Sequence, residues 1–133
     1  YNSAQMKKFT SILLLSTYAF VLNTQAQGVP PACEQWISAV EVCTQNSISY
    51  MEKADPAHVK GPKELLKEMQ DTRTKIRDAI ATQGYDVIAE RCAGPAFIKG
   101  MNNVLSGIVT NLSFNHALSK DCKRKVQEIQ IKQ

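Results

Sequence analysis

Pro31-Ala32-Cys33-Glu34-Gln35-Trp36-Ile37-Ser38-Ala39-Val40-Glu41-Val42-Cys43 is the stretch on which the fold turns. From here Trp36, Ile37, Val40, Cys43, Ser47, Ile48 and Met51 return at three- and four-residue steps, which places them on one stripe of a helix. Pro31 suits a first helical position, where its missing N–H is not needed. Asp55-Pro56 marks the end, because a residue before proline is pushed out of the helical region. Along such a helix Cys33 and Cys43 are separated by about 15 Å of rise. A disulfide requires Cα atoms within about 7 Å. These two cysteines therefore do not bond to each other.

The same periodicity runs through the rest of the chain. After a short polar connection to Gly61-Pro62, Leu65, Leu66, Met69, Ile76, Ala79 and Ile80 form the apolar face of a second helix, with Gly84 as its C′ residue. Tyr85 to Cys92 supplies two further turns before Ala93-Gly94-Pro95 breaks the chain. Phe97, Ile98, Met101, Val104, Leu105, Ile108, Val109 and Leu112 mark a third long helix. Leu118, Cys122, Val126 and Ile129 mark the last. Strand-like alternation, internal repeats and low-complexity tracts are absent from the sequence. The expected class is all-α: an up-down bundle of about four helices, stapled by two disulfides.

Four cysteines allow three connectivities, and the argument above leaves two. In an up-down-up-down bundle, Cys33 and Cys92 fall near the same end, and Cys43 and Cys122 fall near mid-height of the first and last helices. That favours Cys33 with Cys92 and Cys43 with Cys122. Bridges of this kind belong to an oxidising compartment.

The N-terminal segment agrees with that location. Met6-Lys7-Lys8 reads as a basic n-region, Phe9 to Leu22 as an uncharged, mostly apolar h-region, and Thr24-Gln25-Ala26 as a cleavage site of small residues. Residues 6–26 are therefore expected to be a signal peptide with a bacterial opening, and residues 1–5 an upstream extension. A retained anchor would need a longer span to cross about 30 Å of hydrocarbon. Residues 27–133 are then one helical domain, periplasmic or secreted. The whole sequence has sixteen basic and twelve acidic residues; without Lys7 and Lys8 the balance is fourteen to twelve. That near neutrality argues against a nucleic-acid binder, which concentrates charge on one face.

Chemistry-bearing motifs are sparse. Cys-x-x-Cys and His-Glu-x-x-His do not occur, so thioredoxin-like, c-type haem and zincin readings lack their residues. His58 and His116 have no local ligand spacing, and Met51, Met69 and Met101 on apolar stripes read as core filler rather than as haem ligands opposite His116. Glu64 with Glu68, and Asp71 with Lys75, read as solvated i,i+4 surface rather than acid–base pairs. Asn111-Leu112-Ser113 matches a glycosylation sequon that the bacterial leader sets aside. No catalytic, cofactor or metal residue is assigned. Lys120, Lys123, Arg124 and Lys125 form a basic run, read as a solvated helix face or as a surface for an acidic partner or an anionic lipid surface. Gly100 and Gly107 lie seven residues apart on one helix face, which is expected to admit a close neighbouring helix or a ligand.

Pro31-Ala32-Cys33-Glu34-Gln35-Trp36, with Val40, Cys43 and the later Cys92, resembles the opening of small secreted Gram-negative proteins grouped as a domain of unknown function. The resemblance implies a helical periplasmic protein and brings no catalytic residues. Cys122-Lys123-Arg124-Lys125-Val126, together with the early Cys33-Glu34, is more faintly similar to periplasmic acid-stress chaperones of the HdeA type. Three functions follow as expectations. The first is a non-enzymatic binding or inhibitory module, immunity-like, acting on another periplasmic protein. The second is a stress chaperone. The third is a small-ligand carrier with its cavity near Gly100 and Gly107.

Overall fold

The computed structural model describes residues 28–131, and all of its regular structure is helical. The expected upstream extension and signal peptide lie outside the described residues. Five α-helices follow in order: α1 Pro31–Ala54, α2 Lys60–Gln83, α3 Tyr85–Cys92, α4 Pro95–Phe114 and α5 Lys120–Ile131. A single 3-10 turn, Pro56–His58, joins α1 to α2.

α1 is the hub. It packs against each of the other four helices, whereas α2, α4 and α5 have little contact with one another. This explains why its buried set is wider than the stripe read from the sequence. Cys33, Ala39 and Thr44 are buried beside Trp36, Ile37, Val40, Cys43, Ser47 and Ile48, because neighbours cover α1 on several sides. The surrounding helices are amphipathic in the ordinary sense and turn their apolar residues inward. Met69 of α2, Ile88 of α3, Met101, Leu105 and Leu112 of α4, and Ile129 of α5 complete the core.

Directions follow from named contacts. Lys63 lies 3.2 Å from Glu52, while Arg73, further along α2, reaches back to Glu41 and Glu34, so α2 runs antiparallel to α1. Cys33 is bonded to Cys92 with Cα atoms 5.0 Å apart, which seats the start of α4 beside the beginning of α1. Cys43 is bonded to Cys122 at a Cα separation of 4.7 Å. α5 then returns until Glu128 and Ile129 line a cleft with Val29 and Pro31. The result is an up-down-up-down order arranged around one helix rather than around a shared central seam.

Several boundaries differ from expectation. α2 begins at Lys60, with Gly61 and Pro62 inside its first turn, because a proline there removes a donor that has no intrahelical partner. Leu118 precedes α5 instead of belonging to it. Cys122 accordingly sits in the first turn of α5 and not at mid-height. Gly84 separates α2 from α3 with φ 91°, a left-handed geometry that a side chain adopts only at a cost.

Candidate binding surfaces

The polar clamps of the fold cross between helices. Arg73 of α2 binds the Glu34 carboxylate through Nε at 3.0 Å and through a second guanidinium nitrogen at 2.6 Å, and it also contacts Glu41. Glu34 and Glu41 are seven residues apart, hence on one side of α1, and the planar guanidinium spans both. These carboxylates hold the Arg73 pKa above its ordinary value, with the Glu34 hydrogen bond as the largest cause. At the opposite side of α1, Asn46 binds the segment between α4 and α5: its Nδ2 donates to the Ala117 carbonyl at 3.0 Å. Ser119 then caps α5, its hydroxyl accepting from the Cys122 N–H at 3.1 Å.

The basic run on α5 is partly neutralised by its own helix. Arg124 lies 3.3 Å from Asp121, and Lys125 lies 3.7 Å from Glu128. Lys120 and Lys123 are exposed and have no ion-pair partner among the described residues. The two histidines serve the ends of helices. His58 Nδ1 meets Asp55 Oδ2 at 2.7 Å, and this hydrogen bond, followed by the charge of Asp55, raises the His58 pKa. His116 closes α4 with φ 53°, and the Ala117 N–H reaches back to the Leu112 carbonyl at 2.8 Å. That bond and His116 N–H to Ser113 make a Schellman ending with histidine where glycine is usual. Met69 and Met101 are core residues, and Met51 is half-buried. Glu64 pairs with Lys60, not with Glu68.

Gly100 and Gly107 overturn the expectation placed on them. A side chain at either position would meet nothing within 4 Å, so no neighbouring helix approaches them, and neither lines a described cleft. They belong instead to the outward face of α4. Gly100, Val104, Gly107, Asn111 and Phe114 fall within about 80° of arc at 3.6 residues per turn. All five are exposed, Phe114 by 84%. No Asp, Glu, Lys or Arg occurs from Gly100 to Ser119. The longest uncharged run of the described chain is thus on display, with bare backbone beside a projecting aromatic ring.

Two clefts flank α4. One, of about 530 Å³, lies over Trp36 and is bordered by Pro95, Ile98 and Lys99. The other, of about 230 Å³, lies between α2, α3 and the start of α4. Ile76 and Ala79 of α2, Ile88 and Cys92 of α3 and Phe97 of α4 form its walls. Lys75, Arg91 and Thr72 are its remaining lining residues. The Thr72 hydroxyl is already committed to the Glu68 carbonyl at 2.8 Å. Periodicity identified Ile76, Ala79 and Phe97 as apolar-face residues but neither Ile88 nor their convergence, which depends on the short α3 that the Cys33–Cys92 bond holds in place.

Among the described residues no cluster of metal-ligating side chains occurs, and no helix is long and apolar enough to cross a membrane. No protein-family model, curated protein or solved structure matches the chain.

Proposed function

We propose that this chain is a non-enzymatic binding module of an extracytoplasmic compartment, acting as an inhibitory or immunity-like cap on another protein. The observation that carries this reading is the outward face of α4, uncharged and headed by the exposed Phe114. Interface cores are depleted in charge and enriched in aromatic residues. Burying a phenylalanine that water otherwise covers contributes about 1.5–3 kcal/mol. The scaffold behind the face suits such a role: two disulfides fix α1 to α3 and α5, the helices on either side of α4 in the chain. A surface held rigid before contact loses little conformational entropy on binding. Lys120 and Lys123, exposed on the next helix, would speed encounter with an acidic partner.

The test is capture followed by reconstitution. The disulfide-bonded chain is used to retain a protein from extracytoplasmic extract, and the purified pair is then titrated. Phe114→Asp combined with Val104→Asp is expected to weaken that complex by more than about tenfold while leaving the melting curve unchanged. Equal affinity of the variant, or no protein retained at defined stoichiometry, overturns the reading.

A further inference from the structure

No Asp or Glu lines the groove between α2, α3 and α4, and the one hydroxyl it contains is turned back onto its own helix. The cleft over Trp36 is also free of acids but carries the Asn102 carboxamide. The cleft beside the α5 terminus, by contrast, mixes Glu34 and Glu128 with Lys125, and the one at Asn46 includes Asp121. An apolar trough remains, and the two cationic residues beside it, Lys75 and Arg91, contribute their apolar stems to its walls.

Those cations are uncommitted. Lys75 and Arg91 are exposed, and neither takes part in an ion pair among the described residues, although Asp71 stands one turn from Lys75. The floor is firm: Ile88 and Cys92 are buried, and the Cys92 bridge ties α3 to the start of α1. The volume, about 230 Å³, is below the roughly 300–1,000 Å³ usual for drug-sized ligands. A single unbranched chain segment is of a size to fit it.

We infer that this groove binds a free medium-chain fatty acid, its tail along Ile76, Ala79, Ile88 and Phe97 and its carboxylate held between Lys75 and Arg91. Arg91 presents a planar donor fork that matches a carboxylate, and Lys75 adds a second positive charge. The site is separate from the outward face of α4, so it stands or falls independently of the reading above.

Sodium decanoate, kept below its micellar concentration, is titrated into the disulfide-bonded chain and followed by amide chemical shifts. Saturable binding is expected, with the largest shifts at Ile76, Ile88 and Phe97. Decyltrimethylammonium, with the same tail and the opposite charge, is expected not to saturate. Lys75→Gln with Arg91→Gln should weaken decanoate binding about tenfold at an unchanged melting temperature. Ala79→Trp should abolish binding by filling the trough; should that variant unfold, the charge variant decides. Equal affinity of the charge variant, identical behaviour of the two amphiphiles, or retention only on phosphatidylglycerol vesicles would each overturn the inference.

Discussion

Asn46 of α1 accepts a 2.8 Å hydrogen bond from the backbone N–H of Ser119, the residue that caps α5. The same carboxamide donates to the Ala117 carbonyl, so one side chain satisfies a donor and an acceptor of the α4–α5 connection. The five-residue connection thereby acquires, at the Ala117 carbonyl and the Ser119 N–H, the pairing that a neighbouring backbone would give it. Asn46→Ala leaves both groups unpaired and part-buried. Urea denaturation should show a loss of about 2–3 kcal/mol, and Asn46→Asp, which retains the acceptor alone, should recover part of it. A loss under 0.5 kcal/mol, on the order of surface substitutions, would show that water replaces the clamp.

Arg73 holds two α1 carboxylates from across the α1–α2 interface. Its side chain is 21% exposed and that of Glu41 is 18%, so solvent screens the contact only in part. Arg73→Ala leaves two like charges facing each other without a counter-ion and is expected to cost about 1–2 kcal/mol. Arg73→Lys should recover less than half, because an ammonium group cannot serve Glu34 with two parallel bonds. Chemical denaturation of the three proteins at neutral pH checks the order. Full recovery by lysine would mean that charge alone matters.

His58 has a pKa raised above its ordinary value by Asp55. A base with a raised folded value stabilises the fold below its unfolded pKa, about 6.5, and that contribution disappears as the pH rises through the folded value. The effect is confined to the α1–α2 turn and is small, since His58 is exposed. A proton-NMR titration should place His58 above the ordinary imidazole range, and Asp55→Asn should return it there. A titration unchanged by Asp55→Asn would locate the cause elsewhere.

His116 adopts φ 53° at the end of α4, a geometry that glycine takes without penalty. His116→Gly should stabilise the fold by about 0.5–1 kcal/mol, and His116→Val should destabilise it by at least as much. Thermal unfolding of the pair tests this, and a stabilising valine would contradict the assigned backbone.

How much of this was legible depends on the range of each interaction. The α1 stripe, the Asp55-Pro56 stop and the Gly84 ending are local, and local rules found them. The pairing of Cys33 with Cys92 and Cys43 with Cys122 followed from helix rise and end-to-end topology, even though Cys122 sits about one turn away from its expected height. Asn46 and Arg73 act over 73 and 39 residues of separation, and no periodicity signals such contacts. Ser119, three residues before Cys122, did carry a start signal for α5 as a capping residue. The apolar Leu118 drew the helix two residues too early instead. The glycines of α4 misled for a physical reason: a residue without a side chain reads the same whether a helix or water lies over it.

The hub arrangement has a kinetic consequence. Because α2, α4 and α5 have little contact with one another, each gains most of its burial by finding α1. For α5 that search spans 79 residues between the bonded sulfurs, against 59 for the other bridge. Such distant pairings slow folding relative to a bundle whose sequential neighbours zip together. In a chain synthesised from its N-terminus, Cys43 must wait longest for its mate, surrounded by an apolar girdle still open to water. The most vulnerable moment of this molecule is then the interval before its last helix arrives, when one reactive thiol lies at the centre of an unfinished core.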